Sequence, residues 1–154
     1  MASALIAYLH YLAMISIAAI LVAQHMVCVP GITGSRIRLL ARLDLLYLSL
    51  VVLALASGVA RLVWFAKGTA FYLHNPVFYI KLALFLAVGL VSISPTLQFL
   101  AWVRGLKSGG AVVVADYQVL RVRRAIVIQL FLFALIPLTA TLMARGIGIQ
   151  AAAQ

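Results

Sequence analysis

Four apolar runs, each long enough to cross a lipid bilayer, dominate the sequence and leave little between them. A spanning helix needs about 20 apolar residues for a hydrocarbon core of roughly 30 Å, and the runs at 3–29, 39–65, 76–103 and 125–143 meet that length. Asp116 and a basic stretch precede the last run, so its helix is expected over 117–143, with a start that protrudes from the bilayer. Hydrophobic residues make up 67% of the 154-residue chain and charged residues 9%, against roughly 25% charged in a soluble domain. A soluble fold of this size cannot hide so much apolar surface. In lipid the backbone must satisfy its own hydrogen bonds, which leaves helices as the open-ended solution. The expected fold is an all-α integral membrane four-helix bundle, a single domain whose solvent is the lipid bilayer.

The boundaries carry capping chemistry. Pro30-Gly31 ends the first helix, Ser35 is positioned to cap the second, Asn75 followed by Pro76 reads as an N-cap with proline at the first helical position, and Asp116 is positioned to cap the fourth. Pro95 and Pro137 fall inside spans, where they release carbonyls that Ser92, Ser94 or Thr139 can partly satisfy. Ala54, Ser57, Gly58 and Ala60 give the second helix small positions for close helix approach. The first run lacks a basic stretch before it and exceeds a signal-peptide core in length, so it reads as a retained span. Cys28 is the single cysteine and has no partner for an intrachain disulfide.

Twelve Lys and Arg stand against Asp44 and Asp116, a formal net charge of +10. Here the basic residues punctuate apolar runs, so they read as orientation signals, and no nucleic-acid partner is expected. Arg36, Arg38, Arg42, Arg104, Lys107, Arg121, Arg123 and Arg124 fall at one end of the spans, and Arg61, Lys67, Lys81 and Arg145 at the other. Positive charge prefers the cytoplasmic side. Both termini and the loop from Lys67 to Asn75 are therefore expected on the outer, periplasmic side, with Trp64, Tyr72 and Tyr79 as interfacial anchors.

An ionisable residue within a span costs about 2.5 to 3.5 kcal/mol on insertion scales, so each one needs a partner, water or a short reach to the interface. His10, Arg61 and Lys81 lie at similar depths from the outer ends, roughly 7 to 9 Å in at 1.5 Å per residue, and are expected to form one polar layer. His25, Asp44 and Gln98 fall at a second common depth from the inner ends, with Gln129 nearby, leaving an apolar middle. His10, Met14, Ile17, Leu21, His25 and Cys28 recur at spacings of three and four, a single stripe on the first helix. His10 reads either as a core histidine bonded to a carbonyl or as a ligand; Arg61 and Lys81 read either as cations reaching outward or as partners of a bound group. Asp44 is expected to pair with Arg42, Arg124 or His25, the alternative being a proton-relay carboxylate.

The segments around His10 (YLH), Arg42 to Tyr47 (RLDLLY), Trp64 to Pro76 (WFAKGTAFYLHNP), Lys81 (FYIKL) and Leu142 to Gly148 (LMARGIG) resemble a bacterial family of predicted inner-membrane proteins, domain of unknown function 2214. The resemblance covers nearly the whole chain and implies a multi-pass protein of the bacterial inner membrane. More distantly, His10 and the pair Lys81-Leu82 are placed as in the four-helix membrane protoporphyrinogen oxidases, with a looser likeness to copper-resistance membrane domains. That likeness implies haem b, with His10 and Lys81 as candidate iron ligands and Arg61 as a cofactor-binding residue positioned to neutralise a propionate. The Trp-Met-Ala-Gly stretch expected after the histidine is absent and Tyr79 stands where a second histidine falls in those enzymes, so haem binding carries over and porphyrinogen oxidation does not.

The leading expectation is a haem b protein acting in membrane electron transfer or redox chemistry. A copper(I) or other ion carrier using His10, Met14, His25, Met26 and Cys28 is the alternative, since thioether and thiolate suit Cu(I). A third reading needs no cofactor: an accessory subunit or homo-oligomer that docks through the Ala54 and Gly58 face to a membrane-complex partner. The sequence shows no phosphate loop, paired carboxylates or nucleophile-base motif that would point to a hydrolase or nucleotidase.

Overall fold

A computed structural model describes residues 1–65, 75–108 and 113–145. Four long helices account for nearly all of them: α1 (Ala2–Val27), α2 (Gly34–Ala60), α3 (Pro76–Lys107) and α4 (Asp116–Ala144). The last turn of the second span, Arg61–Phe65, is π-helical. All four helices are long and apolar enough to cross a membrane. Lys67 and Tyr72, expected beside the second and third spans, and the closing Gly146 to Gly148, lie outside the described residues.

Local chemistry sets most of the ends, though not always through the expected atoms. α1 stops at Val27; the Cys28 N–H still bonds Gln24 O, and Gly31 then takes a φ of 70°, a left-handed turn that glycine accepts without strain. Asn75 caps α3, its Oδ1 accepting from Val77 N at 2.9 Å with Pro76 in the first turn. The other two caps differ from expectation. Thr33 holds the N-cap position of α2 without a side-chain cap bond, and Ser35 lies inside the helix, its hydroxyl paired with that of Thr33. Asp116 is the first residue of α4, after Ala115 as N-cap; its carboxylate instead accepts from Gly31 N at 3.1 Å, tying the first loop to the start of the fourth helix. The prolines also act differently. Pro95 and Pro137 stay inside unbroken helices, but Ser92 donates to Gly89 O and Thr139 to Ile136 O. The proline rings free the carbonyls of Val91 and Phe133, four residues back, and these hydroxyls do not reach them.

The helices form a ring. α1 packs on α2 and α4, and α3 packs on α2 and α4; the diagonal pairs make no close backbone approach among the described residues. Ile17, Leu21, Leu40, Phe99, Val122 and Ile126 fill the interior. The outward faces are equally apolar: Val52, Leu90 and Phe131 are each more than 60% exposed. Exposure on that scale, on all four helices, is what a lipid solvent permits and water does not. Lipid also removes most of the hydrophobic drive between helices, so close packing and interhelical hydrogen bonds hold the ring.

Candidate functional site

Two polar systems run through the bundle. The first lies toward the end where the chain begins, the terminal end. His10 of α1 sets Nδ1 3.1 Å from Ala54 O and 3.1 Å from Ser57 Oγ on α2. A carbonyl only accepts, so Nδ1 carries the hydrogen. Ser57 agrees, because its own hydrogen goes to Leu53 O at 2.7 Å. Nε2 therefore keeps its lone pair. The imidazole rests on Gly58, where a Cβ would stand 3.3 Å from its Cε1. The small positions of α2 thus receive His10 of the same chain, and the Ala54 and Gly58 face is not free to dock another helix.

Arg61 and Lys81 join this level. Arg61 lays its guanidinium over the Tyr11 ring, 5.0 Å from the centroid, a cation–π contact. Both cations lie close enough to His10 for their charges to act on it, and Lys81 is near enough to Arg61 and Tyr11 to feel their charges. The expected grouping of His10, Arg61 and Lys81 is present, with Tyr11 and Ser57 added. Trp64 and Tyr79 are exposed, as interfacial anchors require.

The second system is more deeply buried and knits all four helices. Asp44 Oδ1 accepts from Gln24 Nε2 on α1 at 3.4 Å and from Thr96 Oγ1 on α3 at 3.2 Å. One turn along α2, the Tyr47 hydroxyl accepts from Gln129 Nε2 of α4 at 3.4 Å. Ser92 lies beside that hydroxyl and, having given its hydrogen to Gly89 O, is free to accept from it. Asp44, Tyr47, Gln24 and Gln129 are all buried. The Gln129 carbonyl oxygen is a buried acceptor without a donor.

This layer corrects the expected one. Asp44 has no ion pair with Arg42, Arg124 or His25; neutral donors on two neighbouring helices take their place. Gln98 is half-buried and outside the set, because the inward face of α3 is set by Ser92, Pro95 and Phe99, and a residue two beyond Thr96 points about 200° away. His25 is likewise rotated off the Gln24 face. Its Nε2 accepts from Arg123 Nη2 at 3.2 Å, which puts the ring hydrogen on Nδ1, a buried atom with no partner.

The proposed soft-metal set is spread out. Cys28 is fully buried and its thiol lies 3.7 Å from Val119 O, whereas Met26 is 70% exposed on the outer face. Among the described residues, no three of His, Cys, Asp and Glu are grouped to hold a metal. Just beyond the end of α1, burial pushes the Cys28 thiol up to about 11.

A family model described as predicted membrane protein (DUF2214) matches residues 2–148. The chain belongs to this family. No curated protein and no solved structure matches it. For this DUF2214 protein, the residues missed by spacing alone are Gln24, Tyr47 and Thr96. Gln24 and Tyr47 carried a usable signal, since each is a polar group on the inward face of an otherwise apolar helix.

Proposed function

We propose that the chain is a haem b-binding protein of the bacterial inner membrane that takes part in electron transfer, with His10 as an axial ligand. The supporting observation is the 3.1 Å approach of His10 Nδ1 to Ala54 O: a carbonyl only accepts, which puts the ring hydrogen on Nδ1 and leaves Nε2 its lone pair. Iron-ligating imidazoles share this arrangement, in which the outer hydrogen bond fixes the ring and raises its basicity. The surrounding charge fits as well. Arg61 and Lys81 form a cationic pair at the level of His10, and the two acids of the chain, Asp44 and Asp116, are engaged elsewhere. Two propionates are the matching counter-charge, with Arg61 held in place by Tyr11 and Lys81 either a propionate partner or a second iron ligand.

When bound, haem supplies one-electron chemistry. The chain's residues orient and neutralise: His10 is steered by Ala54 and Ser57, Gly58 gives its ring room, and Arg61 and Lys81 hold anionic groups near the interface. On the positive-inside reading this level faces the periplasm. The test is an oxidised and a dithionite-reduced visible spectrum of the purified protein, with a pyridine haemochrome assay. Near-stoichiometric haem b that is lost in His10→Ala supports the proposal. A colourless preparation after haem supplementation refutes haem binding, and full haem in the variant refutes the ligand assignment.

A further inference from the structure

We propose that the groove between α1 and α4 at the basic end of the bundle is a binding site for an anionic phospholipid. The groove is open and shallow, with a volume of about 370 Å³, and is lined by His25, Leu120, Arg123, Arg124, Val127 and Ile128. Its charges have no internal counterpart. The chain has only Asp44 and Asp116 as acids; Asp44 is taken by Gln24 and Thr96, and Asp116 by Gly31 N. Arg123 meets only the neutral Nε2 of His25, which aims one arm of the guanidinium and leaves the other N–H groups to a ligand.

The apolar wall determines which phosphate fits. Val127 and Ile128 lie one turn beyond Arg123 and Arg124 on the same spanning helix, about 6 Å deeper at 1.5 Å per residue, and each is about half exposed. A phosphodiester at the arginines thus places an acyl chain against Val127 and Ile128, whereas a free anion leaves that wall uncovered. Guanidinium groups suit phosphate oxygens through paired N–H donors. The groove is separate from the His10 level and does not depend on haem.

The protein is titrated in neutral detergent with phosphatidylglycerol, phosphatidylcholine or inorganic phosphate, following bound lipid by native mass spectrometry and thermal stability by tryptophan fluorescence. Phosphatidylglycerol is expected to bind and stabilise, and the other two are not. Arg123→Gln/Arg124→Gln should weaken phosphatidylglycerol binding about thirtyfold, from roughly fivefold for each basic residue near the membrane surface. Arg36→Gln/Arg38→Gln, which removes the same charge elsewhere at that end, should leave binding within about threefold. Equal binding of the two lipids, or equal loss in both variants, overturns the site; protection by inorganic phosphate alone overturns the lipid assignment. If the groove variant does not fold, the comparison of probes on the unaltered protein decides.

Discussion

Tyr47 and Gln129 join across the diagonal of the bundle, Nε2 to hydroxyl oxygen at 3.4 Å, from two helices whose backbones do not approach each other. The bond passes through the centre of the ring, so it senses the spacing of all four helices. Each single bond of this kind in lipid contributes on average about 0.6 kcal/mol.

The pair is asymmetric, which a double-mutant cycle should expose. Tyr47→Phe leaves Gln129 with both amide atoms buried and unpaired, at an expected loss of about 1 to 3 kcal/mol. Gln129→Leu removes the unpaired carbonyl together with the donor and should cost less. The double variant should be no less stable than Tyr47→Phe alone, measured by denaturant or thermal unfolding in detergent. Simple addition of the two losses contradicts the bond.

At Asp44 the structure distinguishes an acceptor from a charge. Asp44→Asn keeps an oxygen for Gln24 and Thr96 and should stay within about 1 kcal/mol of the parent, whereas Asp44→Leu strands both donors and should lose about 1 to 3 kcal/mol. An asparagine variant that loses as much as the leucine variant would show that the negative charge, and not the acceptor alone, is required there.

Gly58 tests the seat of His10. Gly58→Ala places a methyl 3.3 Å from Cε1, so the ring must shift by a few tenths of an ångström, while the helix gains about 1 kcal/mol of propensity. Stability should change little. Gly58→Val adds volume the ring cannot accommodate and should cost about 1 to 3 kcal/mol. Unfolding midpoints of the two variants check the contrast.

Cys28 gives a prediction that depends on pH. Its folded thiol is raised to about 11, above the usual value of about 8.5, so the unfolded chain releases its proton first as pH rises. The thiol's contribution is full below the unfolded value and is lost as pH climbs through the folded one. Maleimide at pH 8 should label the folded protein far more slowly than the protein in denaturant, followed by mass spectrometry; equal rates would contradict the burial.

Spans were legible because length and hydropathy alone decide them. The level of His10, Arg61 and Lys81 was legible for a related reason: three ionisable groups at one depth in lipid have few places to go. Partners were harder to read. Depth places Gln98 with Asp44, but rotation about α3 gives the position to Thr96. Adjacent residues diverge in the same way on α1, where Gln24 faces the core and His25 meets Arg123. Spacing along one helix fixes height, and only the packed neighbours fix azimuth. The π-helical turn at Arg61–Phe65 had no signature in the sequence.

The ring arrangement also bears on how the protein is made. Each of its halves is a helical hairpin, α1 with α2 and α3 with α4, and the bonds Asp44 to Thr96 and Tyr47 to Gln129 are formed only between halves. A translocon can therefore release the first hairpin into lipid before the second exists, with Gln24 already sheltering Asp44. The remaining polar groups then act as a latch that recognises the late-arriving hairpin. Two fragments divided between α2 and α3 and made separately should therefore reassociate in the membrane through these bonds, and co-purification of the two would check it.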